Sequence, residues 1–175
     1  YTGQDTVSLG ATVAGRPAAL PGAEEMLGLF INTLPVVVRP QPAATVGDWL
    51  RALQAQNLAL REFEEAPLYE IQGWAGYAGQ PLFDSIIVFE NYPVDRGLRQ
   101  RGDKALRFAN LTTIDVTNYP MDLSVLVDQT LVVEYTYMLS HFSAAQAGQI
   151  REQFEHLLFS LASDASRRLG DIRPE

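Results

Sequence analysis

Histidine is the side chain that most often moves protons near neutral pH, and this sequence holds two, His141 and His156. His141 stands in Leu139-Ser140-His141-Phe142-Ser143, and His156 lies one helical turn from Glu152. A nucleophilic triad needs a base that an acid orients. Four residues after His141 is Ala145 and four after His156 is Ser160, so neither opens a His-x-x-x-Asp pair. Both read as surface or capping residues. The chain has no cysteine, which excludes disulfides, thiolate nucleophiles and thiolate metal sites. Two separated histidines without thiols make a zinc site a poor expectation, and no metal is expected. Gly73 to Gly79 lacks the preceding strand and the lysine of a phosphate-binding loop. The sequence therefore offers no self-contained catalytic set.

Polar residues at an element junction are the other candidates. Met26 to Ile31 is almost unbrokenly apolar, after the turn dipeptide Pro21-Gly22 and two carboxylates, Glu24 and Glu25, suited to a helix N-terminus. A short buried helix is expected there. Leu34-Pro35-Val36-Val37-Val38 then reads as a β-branched strand entered through a proline. Asn32 and Thr33 fall at the joint. Their side chains either satisfy local backbone or face a bound group; on the residues alone the first reading is the stronger.

The remaining elements follow from periodicity. Thr6 to Val13 alternates as a half-buried strand, and Ala14 to Gly22, with Gly15, Pro17, Pro21 and Gly22, must be a loop that carries Arg16. Thr45-Val46-Gly47-Asp48 has capping-box spacing and opens a helix to about Glu64, with Val46, Trp49, Leu50, Leu53 and Leu60 mainly on one face. Pro67 restarts a short helix over Leu68 to Trp74, with Leu68, Ile71 and Trp74 on one side. Phe83 to Glu90 reads as a strand buried on both faces and central in a sheet. Val94 to Lys104 reads as an excursion from the body, followed by a strand near 106–114. Met121 to Val127 and Leu131 to Met138 form a hairpin about Asp128-Gln129-Thr130. A last helix is capped by Ser143, with Ile150, Phe154, Leu157, Leu158 and Leu161 as its core stripe. About six strands and four helices predict one domain over 1–175, a two-layer α/β sandwich with a mixed sheet.

Composition narrows the partners. At 175 residues, 47% apolar and 19% charged, the chain has the make-up of one globular domain. A formal charge of −8 argues against nucleic acid, whose phosphates need clustered cations. Arg96, Arg99, Arg101, Lys104 and Arg107 are interrupted by Asp95 and Asp103, and read as a solvated loop before a contact for an acidic partner. No apolar run reaches membrane-spanning length and no signal peptide opens the chain, so no membrane contact is expected and a cytoplasmic location is. The start at Tyr1, without methionine, suggests a piece of something longer.

Two blocks carry a resemblance. Gly28-Leu29-Phe30-Ile31-Asn32-Thr33-Leu34-Pro35-Val36, with Thr12 to Pro17 and Leu20-Pro21-Gly22 ahead of it, and Pro81 to Pro93 with its Phe89-Glu90-Asn91-Tyr92-Pro93 ending, resemble the C-terminal half of nonribosomal peptide synthetase condensation domains. The resemblance implies one lobe of the chloramphenicol-acetyltransferase-like fold, in which two α/β lobes form a V. It also implies that carrier proteins deliver aminoacyl and peptidyl thioesters on phosphopantetheine arms to a tunnel between the lobes. The family's His-His-x-x-x-Asp-Gly motif belongs to the N-terminal lobe and is absent here, which implies that this chain is inactive in isolation.

Matched by position, the resemblance puts Gly15 and Arg16 in the loop beneath the tunnel, Asn32 and Thr33 in the Gly-x-Phe-x-Asn motif, and Asn91 and Tyr92 at the end of the strand beside the tunnel. The loop after Tyr92 matches the family's latch. The implied partners are the N-terminal lobe, peptidyl carrier proteins and an adjacent adenylation domain, with no cofactor bound directly. Departures exist: the family's Arg-Asp-x-Ser-Arg-Asn-Pro-Leu block survives here only as Pro81-Leu82. A non-catalytic docking module of the same fold, and an epimerase lobe, are the alternatives.

Overall fold

The computed structural model describes residues 3–14, 20–90, 117–127 and 130–173. Five strands form one sheet: β1 (Val7–Val13), β2 (Asn32–Val38), β3 (Ser85–Glu90), β4 (Met121–Val127) and β5 (Leu131–Tyr137), in the spatial order β2-β1-β3-β4-β5. The two outer joints, β1 with β2 and β4 with β5, are antiparallel, and the two inner joints that flank β3 are parallel. The mixed sheet and the central place of β3 follow the reading of its apolar run.

One row crosses the whole sheet: Leu34, Ala11, Ile87, Leu123 and Tyr135 are successive register partners. Tyr135 meets Phe154 of the last helix edge-on, with ring centroids 6.0 Å apart, so this row faces that helix. Side chains alternate along a strand. The adjacent row, Pro35, Gly10, Ile86, Asp122 and Thr136, therefore lies on the opposite face.

Three α-helices stand among the described residues: α1 (Val46–Leu60), α2 (Leu68–Trp74) and α3 (Ala144–Ser163). Thr45 caps α1, its hydroxyl accepting from the Asp48 N–H at 3.2 Å. The segment after α3 completes that cap. Val46 N–H donates to the Arg167 carbonyl at 2.9 Å and Gly47 N–H to the Ala165 carbonyl at 2.8 Å, while Leu169 and Gly170 donate back to Ala44 and Pro42. The unpaired donors that open every helix are thus met by chain more than 100 residues away, and Val46 beneath them is fully buried. At α3, Ser143 and Gln146 form a complete capping box, as their spacing predicts.

Several expectations are corrected. Met26 to Ile31 is not a buried helix: a single 3-10 turn spans Ala23–Glu25, and Leu27 and Leu29 are 102% and 88% exposed. Glycine at 28 penalises a helix interior, and an apolar run without a 3.6 period gives a helix no single face to bury. Gly22 supplies the left-handed turn before it, at φ 78°. The third strand starts at Ser85, two residues later than expected, because Phe83 leaves the sheet to cover Gly10. Nor is that strand buried on both faces throughout, since Phe89 near its end is 61% exposed.

Trp74, the last residue of α2, is exposed, which leaves Leu68 and Ile71 to face inward. Leu50 and Leu158 sit at the exposed margins of their stripes. The expected strand near 106–114, the excursion over 94–104 and the hairpin residues Asp128 and Gln129 lie outside the described residues. No helix among the described residues is long and apolar enough to cross a membrane.

Candidate functional site

Of the residues singled out from the sequence, Asn32 and Thr33 fall in described chain; Gly15, Arg16, Asn91 and Tyr92 lie outside it. Asn32 opens β2. Its amide nitrogen donates to the Glu64 and Ala66 carbonyls, each at 2.8 Å, and its amide oxygen accepts from Thr33 N–H at 2.9 Å. Both amide protons are thus committed to backbone. They fasten the turn between α1 and α2 to the start of β2, and this half-buried amide is a joint of the fold. Thr33 alternates to the other face, opposite Thr12 of β1.

On that other face, the sequence pattern missed a polar centre. Asp122 is the one buried charged residue among the described residues, 6% exposed. Its Oδ2 accepts from the Thr117 hydroxyl at 2.6 Å, and that hydroxyl in turn accepts from Tyr119 N–H at 3.1 Å. Its Oδ1 is buried and has no hydrogen-bond partner among the described residues. Burial pushes the Asp122 carboxyl above its ordinary range, and the Thr117 hydrogen bond only partly offsets it. Burial and then the neighbouring Asp122 charge push the Tyr119 phenol up as well.

Phe83 and Tyr119 cover this end of the face, their rings 5.2 Å apart and tilted by 31°. The fit requires glycine beneath: a Cβ on Gly10 would overlap the Phe83 ring at Cε2 and Cζ. Beside the two rings opens a cleft of about 240 Å³ lined by Leu68, Gln72, Gln80, Leu82, Phe83 and Tyr119 among others. Gln72 Nε2 ties its rim by donating to the Gln80 carbonyl at 2.8 Å. The signal that could have marked Asp122 was its place between Met121 and Leu123 in a strand, where a carboxylate has to be inside or at an edge; Asn118-Tyr119-Pro120 drew attention only as a turn.

The remaining titratable groups offer little. Ser140 Oγ and His141 Nδ1 are 3.0 Å apart but exposed, on adjacent residues, with no desolvated pocket around them. Tyr135, raised by burial and then by Glu155, has a buried hydroxyl without a partner among the described residues. No group of three or more histidine or carboxylate side chains among the described residues is placed to hold a metal ion.

Comparison with known proteins decides the family. The sequence model of the condensation domain matches residues 1–173. This chain belongs to the condensation-domain family. It is 43% identical over 173 residues to a linear gramicidin synthase of Brevibacillus parabrevis, covering 98% of this chain and 3% of that one. It is 35% identical over 173 residues to chondramide synthase cmdD of Chondromyces crocatus, covering 98% of this chain and 4% of that protein.

Among solved structures, a mutant of the starter condensation domain of rhizomide synthetase RzmA in complex with C8-CoA superposes with a TM-score of 0.76 at 21% identity, covering 98% of this chain and 39% of that one. A four-domain nonribosomal peptide synthetase bound to AMP and glycine gives 0.78 at 15% identity, covering 96% of this chain and 14% of that one. The fold of this condensation-domain chain is thus of the chloramphenicol-acetyltransferase-like class, a mixed five-stranded sheet with helices. The chain spans well under half of each of these relatives.

Proposed function

We propose that this chain is the C-terminal half of a nonribosomal peptide synthetase condensation domain, and that it completes a substrate tunnel and a carrier-protein docking surface around chemistry supplied by the other half. The reaction joins two carrier-bound substrates. The acceptor amine attacks the donor thioester carbonyl, a C–N bond forms and the C–S bond breaks, and the amine proton passes to the departing phosphopantetheine thiolate. The observation that carries this reading is a family match over residues 1–173 in a chain that spans only 39% of a solved condensation domain.

Two features support it. The sequence holds neither a His-His pair nor the His-His-x-x-x-Asp-Gly motif. Leu27 and Leu29, inside the block that resembles the family, stand exposed on the run into edge strand β2, as residues that pack against further protein would. Within the complete enzyme, catalysis draws mainly on holding amine and thioester together, an advantage that can reach about 7–11 kcal/mol. A lobe that shapes the tunnel contributes to that without an acid or base of its own. Asn32 acts by fixing the wall, and Gly15, Arg16, Thr33, Asn91 and Tyr92 are assigned to the tunnel and its floor. The partners are the N-terminal lobe, two carrier proteins and a neighbouring adenylation domain, in the cytoplasm.

The test is a coupling assay with loaded donor and acceptor carrier proteins. The chain alone is expected to give no dipeptidyl thioester, and the full-length synthetase that contains it is expected to give one. Product from the isolated chain, or none from an intact full-length enzyme, overturns the proposal.

A further inference from the structure

Helix α2 is held on one side and open on the other. Leu68 and Ile71 face inward, and the Asn32 amide pins the Glu64 and Ala66 carbonyls just ahead of the helix. On the outer side Tyr69 and Trp74 are 69% and 70% exposed. Such rings carry much of the apolar surface that proteins bury, so two in the open on one seven-residue helix mark a contact surface. Glu70 stands between them. The Tyr69 hydroxyl donates to Glu70 Oε1 at 3.3 Å, and Trp74 lies four residues on, one turn along the same face. Glu70 has no ion pair among the described residues, where the pairs are Arg51 with Asp48 and Arg151 with Glu155. The charge around it has one sign: from Glu62 to Glu90 the sequence carries six carboxylates and no lysine, arginine or histidine. The other flank of α2, at Leu68 and Gln72, lines the cleft of about 240 Å³. Small-molecule pockets span about 300–1,000 Å³, so this cleft suits a single side chain. The order round the helix is the cleft, then Tyr69, then Glu70 with Trp74.

We propose that the outer face of α2 docks a protein segment that sets an arginine against Glu70, between the Tyr69 and Trp74 rings, and an apolar side chain into the cleft. A guanidinium fits both demands of this face, because it pairs with a carboxylate and stacks on aromatic rings. An acidic segment is repelled by the run of carboxylates, and a neutral one leaves Glu70 covered and unpaired. The segment belongs to the same synthetase polypeptide, outside residues 1–175. This source rests on reading the chain as one portion of a synthetase, which its match to 3% of a linear gramicidin synthase supports. Glu70 is thus a docking residue, remote from the bond being made.

The test uses the full-length synthetase with a photo-cross-linking phenylalanine in place of Tyr77, an exposed ring three residues beyond Trp74. Irradiation is expected to join it to a peptide from outside residues 1–175 that carries an arginine beside the attachment point. Glu70→Arg should lower the cross-link yield about fivefold, the size of one partly desolvated cation–aromatic contact. Changing the identified arginine to glutamate in the Glu70→Arg background should restore the yield, which a merely structural role for Glu70 would not allow. No cross-link beyond residues 1–175, a peptide without arginine, attachment to residues 91–116 of this same chain, or a yield unchanged by Glu70→Arg overturns the proposal. Amide formation is measured on the same preparations. A wild-type enzyme that forms the amide without the cross-link removes this inference and leaves the proposed function standing; the cross-link without amide formation does the reverse.

Discussion

Phe83 lies directly over Gly10: the ring edge occupies the space where a β-carbon would stand, and that carbon would also lie 2.8 Å from Ile86 Cγ2. Neither neighbour can withdraw freely, because Ile86 is a buried strand residue and Phe83 packs on Tyr119. Gly10→Ala should therefore destabilise the fold by about 1–3 kcal/mol, the usual cost of overpacking. Urea unfolding of the single variant and of Gly10→Ala with Phe83→Leu checks this. The smaller side chain should restore part of the loss, and strict additivity would show that the contact is not the cause.

Asn32 is the next point of leverage. Removing its amide leaves the Glu64 and Ala66 carbonyls without their donor. Asn32→Ala should cost about 2–3 kcal/mol for two half-buried hydrogen bonds. Asn32→Asp should be worse, since it sets a carboxylate against two carbonyl oxygens. Thermal unfolding ranks the three proteins; an Asn32→Asp protein as stable as wild type would refute the joint.

The pH response of this chain should carry an inverted contribution from Asp122. Its carboxyl is raised by burial, so the folded state holds the proton more tightly than the unfolded state does. Folding is helped by that proton at low pH, and the help is lost as pH rises from the ordinary carboxylate value through the higher folded one. Asp48 and Asp164, held below the ordinary range mainly by hydrogen bonds from Thr45 and Ser166, act in the opposite sense and weaken the fold as pH falls. The stability gap between wild type and Asp122→Asn should therefore be larger at pH 7 than at pH 4, with Asp122→Asn the more stable at pH 7 in the isolated chain. Denaturant titrations at both values would expose a constant gap if the carboxyl titrates normally.

Ser143 closes the capping box of α3 with Gln146. Ser143→Ala should cost about 1 kcal/mol and Ser143→Gly a few tenths. Hydrogen exchange at the first turn of α3 should rise in step with the loss, and equal protection in both variants would rule the cap out as a stabilising element.

Leu27 and Leu29 are exposed in this chain. Changing both to serine should alter its stability by no more than about 0.5 kcal/mol, as for other surface sites. In the full-length enzyme the same pair should lower the unfolding temperature of the condensation domain. No change there would remove these leucines from the contact surface.

The legibility of this chain in its sequence followed the period of its elements. Strands β1, β4 and β5 and helices α1 to α3 show a two-fold or 3.6-fold pattern with local start signals, and each formed close to its expected bounds, α1 ending a few residues early. Met26 to Ile31 misled because an apolar run without period says that burial is needed and not which shape provides it. Here the residues stay exposed, and the covering surface is not encoded in the run itself. Asn32 was visible as a polar residue at a junction, yet its partners are carbonyls 32 and 34 residues on, which no local pattern contains. Asp122 was hidden for a related reason: its burial comes with Ile86, its register partner 36 residues earlier, and only the sheet brings the two together.

The parallel joint between β1 and β3 also sets a schedule for synthesis. Gly10 pairs with Ile86, 76 residues later, and the joint has only this pair and Ala11 with Ile87. The β1–β2 hairpin is complete at Val38, 48 residues before Ile86, so at about 5–20 residues per second on the ribosome it waits roughly 2–10 s with one edge unpaired. An open edge of that kind is a template for pairing with a neighbouring chain. Slowing translation across residues 39–84, or crowding ribosomes on the message, should raise the insoluble fraction of this protein more than changes downstream of Ile87.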